Sequence, residues 1–339
     1  MDQRNIGKIG IIGNGSWGTA LAKILTDNHH PITWWVRNPR SVRSLQERHH
    51  NAVYLTSVYF PKELIDPSDN LEYVLKQCDT LVVAVPSAYV QEAIEQVPKS
   101  LWENKKIISA VKGIIPNTNQ LLNDYLTDYL GKEVTYAAIT GPCHAEEVAE
   151  ARLSYLTFSG LDQHFTETVA SLFRNDYIHT TWNHDLWGAQ YAAVLKNIYA
   201  IGAGMAHALD YGDNFMSVYA TNCYREMHQF LSRHFEQVHP SPQMPDFHTS
   251  AYLGDLLVTC YSLHSRNRRL GNMIGKGYSM QAAILEMNMI AEGYYAAKCM
   301  QHIAGSYQIP IPIAHMIYQI LWEEKSPTEI FPQLEHMLH

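Results

Sequence analysis

Short runs of β-branched and apolar residues alternate with longer segments of helical periodicity through the first half of the chain. Helical stretches separate five such runs, at 8–12, 32–36, 80–84, 106–109 and 135–139. Strands that alternate with helices form βαβ units, in which the strands pair in parallel. The pattern therefore predicts an α/β domain built on a doubly wound parallel sheet.

The pattern changes after about Trp182, where the strand-like runs give way to apolar residues at helical spacing. Helices are predicted at 186–209, 218–233, 279–304 and 313–324, and a polar, proline-rich stretch at 238–249 predicts a loop or insertion. We therefore predict two domains, a parallel-sheet domain at 1–185 and an all-helical domain at 186–339.

A glycine-rich loop follows the first predicted strand and opens a helix. Gly13, Gly15 and Gly18 have the G-x-G-x-x-G spacing of a dinucleotide site. The first glycine permits a tight turn, the second lets the backbone approach a pyrophosphate, and the third lets the helix pack closely on the strand. A chance glycine-rich turn is the alternative, but the position between strand and helix favours a Rossmann-type nucleotide-binding domain.

The residues after the second predicted strand bear on the choice of cofactor. Sites specific for NAD place an acidic residue there to bind the ribose, whereas this chain has Arg37, Asn38, Pro39 and Arg40. A guanidinium group pairs with a 2′-phosphate that a carboxylate would repel. We therefore favour NADP (NADPH), and NAD remains the alternative if the arginines belong to a solvated loop.

Two lysines have unusual surroundings. Lys112 comes just after a predicted strand, where open parallel sheets bind ligands, although a strand-end lysine is also often solvent-exposed. Lys196 is the only Asp, Glu, Lys or Arg between residues 186 and 209. Burial there would lower its pKa and let it exchange a proton near neutral pH, unless its ammonium group reaches water. Gly202 and Gly204 predict that another backbone packs closely against this helix.

Two further stretches offer groups for a ligand. Asp255 precedes a cluster of hydroxyl, amide and guanidinium donors: Ser265, Arg266, Asn267, Arg268 and Arg269. Such donors suit a phosphate monoester, and a solvated basic loop is the alternative. In T-G-P-C-H-A-E-E, the turn at Gly141 could bring backbone N–H groups to a ligand.

Composition excludes some classes of function. The formal net charge is −8, which argues against a nucleic-acid partner. The sequence offers no secretory signature, no apolar run long enough to span a membrane, no metal-ligand spacing and no C-x-x-C pair among its five cysteines. We therefore expect a cytoplasmic protein without a metal. Cationic groups recur at the proposed ligand positions, so a cleft can attract an anion although the protein as a whole has a net negative charge.

These motifs and their order resemble those of the bacterial-type NAD(P)-dependent glycerol-3-phosphate dehydrogenases. The resemblance extends from Ile9 to about Tyr318 of this chain. The motifs are G-N-G-S-W-G-T-A-L-A, V-K-G, T-G-P-x-x-A-E-E-V-A, L-K-N-I-x-A-I-x-A-G, L-G-D-L-x-x-T-C, S-R-N-R-R-x-G and A-E-G. The resemblance implies reversible hydride transfer between dihydroxyacetone phosphate and sn-glycerol 3-phosphate, which supplies glycerol phosphate for phospholipid synthesis. A homodimer is a further expectation, from the many apolar helix faces.

The resemblance also implies roles for individual residues. Lys196 matches the proton donor and acceptor, and Lys112 matches a catalytic lysine shared between nicotinamide and substrate. Substrate-binding positions are matched by Gly141, Asp255, Ser265, Arg266 and Asn267, of which Arg266 also matches a cofactor contact. Further cofactor positions are matched by Ser16, Trp17, Arg37, Tyr54, Ala145 and Glu292.

The chain departs from the family pattern in two places. Cys143 and His144 stand where the family usually has a small polar residue and Phe, and a thiol is a weak hydrogen-bond donor. The proline- and histidine-rich stretch within 226–253 replaces the usual glycine-rich approach to L-G-D-L. Two rival functions are a β-hydroxyacid or 6-phosphogluconate-type dehydrogenase and a non-catalytic nucleotide sensor. The S-R-N-R-R cluster disfavours the first, and the pair of lysines disfavours the second.

Overall fold

The computed structural model describes residues 6–238, 244–287 and 291–339. Contacts divide the chain into two compact units. The sheet unit comprises Met1–Val111 and Gln120–Leu186, and the helical unit comprises Lys112–Asn119 and Trp187–His339. The segment 112–119 thus groups with the helices, although the sequence boundaries 1–185 and 186–339 include it in the first domain. A hydrogen bond from the Asn197 side chain to the Lys112 carbonyl, 2.9 Å long, helps hold it there.

An eight-stranded sheet forms the centre of the sheet unit. Its strands are β1 Ile9–Ile12, β2 Ile32–Trp35, β3 Ile65–Ser68, β4 Thr80–Val83, β5 Lys106–Ser109, β6 Tyr136–Thr140, β7 Ser154–Ser159 and β8 Ile178–Asn183. They lie in the order β3-β2-β1-β4-β5-β6-β7-β8, and every neighbouring pair except β6 and β7 is parallel. The predicted fold class, a doubly wound Rossmann-type sheet followed by a helical domain, is confirmed.

The sequence pattern does not predict three of the eight strands. The edge strand β3 has the sequence I-D-P-S, and Asp and Pro are depleted in strands except at edges. At the other edge, β8 exposes alternate residues and lacks a continuous apolar run. The adjacent strand β7 pairs antiparallel to β6, and the five-residue helix Ala145–Ala149 lies between them.

Seven α-helices complete the sheet unit in the part of it that the structure describes. They are α1 Ser16–Asp27, α2 Pro39–Arg48, α3 Leu71–Gln77, α4 Ser87–Glu95, α5 Leu122–Leu130, α6 Ala145–Ala149 and α7 Gln163–Phe173. Leu21, Ile24 and Leu25 of α1 are fully buried in the same core cluster as Ile11 and Trp34 of the sheet. This packing fixes the first turn of α1 beside the carboxyl ends of the strands.

The helical unit contains eight helices in its described part. They are α8 Leu186–Ala208, α9 Asp213–Val238, α10 Asp255–Tyr261, α11 Arg266–Gly275, α12 Met280–Met287, α13 Glu292–Ser306, α14 Pro312–Trp322 and α15 Pro327–Met337. The predicted helix 279–304 is divided into α12 and α13, and its residues 288–290 lie outside the described residues. Of the predicted loop 238–249, the described residues 244–249 are non-helical, and 239–243 lie outside the description. Across the described ranges, no helix has the length and apolar character to cross a bilayer.

Glycines bring α8 and α11 into backbone contact. A Cβ on Gly204 would overlap the Arg268 carbonyl, and one on Gly271 would overlap the Ile201 carbonyl. The prediction of a close backbone at Gly204 is confirmed, whereas Gly202 instead faces the Tyr219 hydroxyl. Because the backbones approach so closely, the first turn of α11 is fixed relative to α8.

Candidate functional site

The glycine-rich loop follows β1 directly and is hydrogen-bonded to the neighbouring strand β2. Gly13 has φ of +109°, which L-residues rarely adopt, and a Cβ there would lie 2.8 Å from the Ala84 carbonyl oxygen. Its N–H donates to the Trp35 carbonyl over 3.1 Å, and the Trp34 indole N–H donates to the Gly13 carbonyl over 2.9 Å. These contacts confirm the tight turn predicted from the spacing.

The loop has the features that a dinucleotide pyrophosphate requires. Apart from its own chain neighbours, no described residue places an atom within 4 Å of the position that a Cβ on Gly15 would take, so this backbone is open to a ligand. Gly15 is also the N-cap of α1, and it has no side chain to cap the helix. The first turn contains no acidic residue. The N–H groups and the positive end of the helix dipole therefore suit an anion, and these residues fit NAD(P).

Two other predicted positions, one for cofactor and one for substrate, lie at the carboxyl ends of parallel strands. Arg37 is exposed just beyond β2, and Asn38 next to it caps α2 by accepting the Arg40 N–H over 2.9 Å. Gly141 follows β6 with φ of +107°, and a Cβ there would lie 2.7 Å from the Tyr155 carbonyl oxygen. Because β1, β2, β4, β5 and β6 are mutually parallel, these positions share one edge of the sheet with Gly13.

Three further predicted cofactor positions lie at the starts of helices α1 and α6. Ser16 is buried and Trp17 is half-buried in the first turn of α1. Ala145 is buried as the first residue of α6. Cys143, which replaces a small polar residue of the family pattern, belongs to the apolar core cluster of the sheet unit.

Tyr54 is joined to the glycine-rich loop by a residue that the sequence did not single out. The side chain of Asn51 is fully buried and hydrogen-bonds the backbone of Asn14 and the backbone of Tyr54. No periodicity or motif marks this asparagine, so only the folded structure identifies it.

In the helical unit, Lys196 and Asp255 form a buried ion pair. Lys196 is 4% exposed and Asp255 is 1% exposed, and the lysine Nζ donates to the carboxylate Oδ1. Burial lowers the pKa of Lys196 to about 8, although Asp255 opposes this shift, and the charge of Lys112 lowers the pKa further. The predicted lowering of the pKa is confirmed, and the alternative of an ammonium group in water is wrong.

A chain of amide hydrogen bonds links four segments around Lys196. Asn197 donates to the Lys112 carbonyl over 2.9 Å, and Asn267 donates to the Asn197 side-chain oxygen over 2.9 Å. The Gly293 N–H in turn donates to the Asn267 side-chain oxygen over 3.0 Å. Glu292 precedes Gly293 at the start of α13. The structure thus brings the segments of Lys112, Asn267 and Glu292 together with α8, through Asn197, which sequence reasoning missed.

The predicted phosphate cluster forms the first turn of α11. Ser265 is the N-cap, and its Oγ accepts the Arg268 N–H over 3.2 Å. Arg266 begins the helix and is half-buried, whereas Arg269 is exposed. A helix N-terminus that carries a guanidinium group and an amide suits a phosphate dianion.

Family models and curated relatives match nearly the whole chain. Residues 8–166 match the model of the NAD-dependent glycerol-3-phosphate dehydrogenase N-terminus, and residues 185–332 match that of its C-terminus. Glycerol-3-phosphate dehydrogenase [NAD(P)+] of Staphylococcus carnosus is 33% identical over 94% of this chain and 94% of its own length. The protein of the same name from Listeria monocytogenes serotype 4b is 35% identical over 95% and 94%.

Solved structures show the same architecture. The crystal structure of glycerol-3-phosphate dehydrogenase from Coxiella burnetii superposes with a TM-score of 0.89 at 28% identity, over 97% of this chain and 98% of that one. A glycerol-3-phosphate dehydrogenase from Saccharomyces cerevisiae gives a TM-score of 0.77 at 23% identity, over 95% and 98%. The latter likeness shows the fold alone.

Proposed function

The chain belongs to the NAD-dependent glycerol-3-phosphate dehydrogenase family, whose members are NAD(P)-dependent oxidoreductases, and we propose that Lys196 is the proton donor and acceptor of its reaction. The reaction is the reversible interconversion of dihydroxyacetone phosphate and sn-glycerol 3-phosphate. The buried Lys196–Asp255 pair, with its lowered lysine pKa, carries this assignment.

The two units have different tasks in this proposal. The glycine-rich loop of the sheet unit and the first turn of α1 hold the dinucleotide pyrophosphate, with Ser16, Trp17, Arg37, Tyr54 and Ala145 as further contacts. When bound, the nicotinamide supplies a hydride for reduction and accepts one in oxidation. Residues of the helical unit bind the substrate and move the proton, and the family resemblance implies that Lys112, Arg266 and Glu292 are further cofactor contacts.

Lys196 has the protonation behaviour that the proton transfer needs. A pKa of about 8 lets Nζ donate a proton to the developing alkoxide oxygen in reduction and take it back in oxidation, both near neutral pH. The hydrogen bond to Asp255 fixes the position of Nζ and favours its charged form. Lys112 contributes a second positive charge that favours the developing negative charge on the substrate.

The first turn of α11 anchors the substrate phosphate. Ser265 and Arg266 offer a hydroxyl and a guanidinium group there, and Asn267 has one amide hydrogen beyond the one that it donates to Asn197. Gly141 is a further substrate contact that the family resemblance implies. Binding energy from a phosphate remote from the reacting carbon helps to orient the carbonyl.

Arg266→Ala is expected to raise the KM for dihydroxyacetone phosphate by about 10- to 100-fold, because charge-assisted hydrogen bonds to the phosphate contribute about 1.5–3 kcal/mol. Steady-state kinetics at saturating cofactor measure the change. Arg269→Ala is the matched control, since Arg269 lies on the same helix but is exposed. A parent-like KM in Arg266→Ala would show that Arg266 does not bind the substrate phosphate.

We also propose that NADPH is the preferred cofactor, with NADH as the alternative. Arg37 is exposed beyond β2, where a guanidinium group can pair with a 2′-phosphate. Arg37→Ala is therefore expected to raise the KM for NADPH by about tenfold, a loss of about 1.4 kcal/mol, and to leave the KM for NADH unchanged. The control is Arg43→Ala, which removes an exposed charge from α2. Equal changes in both KM values would contradict this role.

One assay tests the function as a whole. The absorbance of NADPH or NADH is followed with dihydroxyacetone phosphate as substrate, and oxidation of at least one cofactor is expected. A β-hydroxyacid dehydrogenase would instead turn over a hydroxyacid, and a nucleotide sensor would bind the cofactor without turnover. Lack of oxidation with both cofactors would refute the proposal.

Cytoplasmic localisation, a homodimeric state and a role in phospholipid synthesis complete the proposal. All five cysteines are free, buried thiols, as is usual in a reducing compartment. Fractionation of the source cells and sedimentation of the purified protein test the first two.

A further inference from the structure

Asn51 lies in the loop after α2 and is fully buried, with 0% of its surface exposed. Fully buried asparagine is uncommon unless its amide is hydrogen-bonded throughout. We propose that Asn51 is a positioning residue for the dinucleotide, because it joins the loop that carries Tyr54 to the glycine-rich loop. The inference rests on the proposed function, since it concerns the affinity of the same cofactor site.

The amide nitrogen of Asn51 holds the glycine-rich loop. Nδ2 donates to the carbonyl of Asn14, which lies between Gly13 and Gly15, over 2.9 Å. It also donates to the Thr19 hydroxyl over 2.7 Å, and that hydroxyl donates to the Gly15 carbonyl over 2.9 Å. Both hydrogens of the amide are therefore used on the segment that the proposal assigns to the pyrophosphate.

The amide oxygen of Asn51 holds the second loop. Oδ1 accepts the N–H of Val53 over 3.0 Å and the N–H of Tyr54 over 3.2 Å. Apolar packing does not hold Val53, whose side chain is 61% exposed, and the first apolar contact of this loop with the core comes from Leu55. Leu55 adopts φ of +48°, a strained conformation for an L-residue, so the backbone has to be held in place.

The four hydrogen bonds use the full capacity of the side chain and pass directly from one proposed cofactor loop to the other. Without them, part-buried backbone groups of Asn14, Val53 and Tyr54 lose these hydrogen bonds, and the direct connection between the two loops is lost. The dinucleotide would then have to order both loops on binding, which costs affinity. Because every one of these bonds stays within the sheet unit, the substrate-binding groups of α11 are unaffected.

The test compares variants of the full-length protein by calorimetric titration with NADPH and NADH. Asn51→Ala removes all four bonds, and it is expected to raise the Kd for both cofactors by about tenfold or more, which equals about 1.4 kcal/mol. Thr19→Val keeps the size of the side chain and removes only the hydroxyl that Asn51 contacts, so a smaller rise is expected. At saturating cofactor, kcat and the KM for dihydroxyacetone phosphate are expected to stay at the parent values.

Asn175→Ala is the matched control. Asn175 also joins segments of the sheet unit: it donates to the Asn28 side chain over 3.0 Å and accepts the N–H groups of Tyr177 and Ile178. Asn28, however, caps the far end of α1, about 18 Å from the glycine-rich loop at 1.5 Å per residue. This variant is expected to lower the melting temperature of the cofactor-free protein and to leave both Kd values unchanged.

The outcomes separate the inference from the function on which it rests. If Asn51→Ala and Thr19→Val bind both cofactors as the parent does, the positioning role is wrong and the proposed function stands. If Asn175→Ala weakens binding as much as Asn51→Ala, loss of stability explains the effect and the positioning role is also wrong. A parent protein that binds neither cofactor would overturn the proposed function itself.

Discussion

Lys196→Met abolishes most of the turnover in both directions, by about 10²–10⁴-fold, and leaves the Kd values for NADPH and NADH at those of the parent. The loss is expected because the variant keeps an unbranched side chain of nearly the same length but removes the amine that exchanges the proton. Methionine fits the apolar surroundings of α8, but the buried carboxylate of Asp255 loses its lysine partner, so a loss of stability is expected besides the loss of turnover. Turnover and cofactor binding are therefore measured below the melting temperature of the variant. Turnover in each direction and calorimetric titration with each cofactor measure the two effects.

Lys276→Met is the control for the loss of a positive charge, because Lys276 lies after α11 and is exposed. It is expected to leave turnover unchanged. Parent-like turnover in Lys196→Met would show that Lys196 does not transfer the proton. A large rise in the Kd for the cofactors would indicate a role in cofactor binding instead.

The pH dependence of the parent enzyme follows from the same residue. Since the pKa of Lys196 is lowered from 10.5 to about 8, reduction is expected to slow as pH rises through 8, while oxidation speeds up. Between pH 8 and 10.5 the folded protein binds fewer protons at Lys196 than the unfolded chain does. The lowered pKa of Lys196 therefore destabilises the folded protein by its full amount below pH 8. This destabilisation decreases as pH rises from 8 to 10.5.

The local features of the site could be predicted from sequence because each depends on a few neighbouring residues. Gly13 and Gly18 are needed where the backbone turns or another backbone group comes close, and Lys196 is conspicuous as a lone charge in an apolar helix. These signals need no knowledge of the rest of the fold, and both were recognised.

The residues that join separate segments could not be predicted in the same way. Asn51 and Asn197 act through hydrogen bonds to partners 37 and 85 positions away, and a single asparagine leaves no periodic signal. The edge strands β3 and β8 were missed for a related reason, since their stability comes from pairing with a neighbouring strand rather than from an apolar run of their own.

Asp255→Ala destabilises the protein by about 3–5 kcal/mol, because it leaves the ammonium group of Lys196 buried without its carboxylate. Asp255 favours the charged form of Lys196, so its loss is expected to lower the pKa of Lys196 below 8. The pH above which reduction slows should then move downward. Urea unfolding measures the first effect, and the pH profile of the residual activity measures the second.

The double variant Lys196→Met with Asp255→Leu separates the two consequences of the ion pair. Two apolar side chains of similar volume need no charge compensation, and replacing a buried pair in this way is often neutral or stabilising. The double variant is therefore expected to recover most of the stability that Asp255→Ala loses, yet to remain as inactive as Lys196→Met. Recovered stability with recovered turnover would contradict the proton transfer, since no amine would be left to carry it. Stability as low as that of Asp255→Ala would mean that the Asp255 side chain supports the fold through contacts other than the ion pair with Lys196.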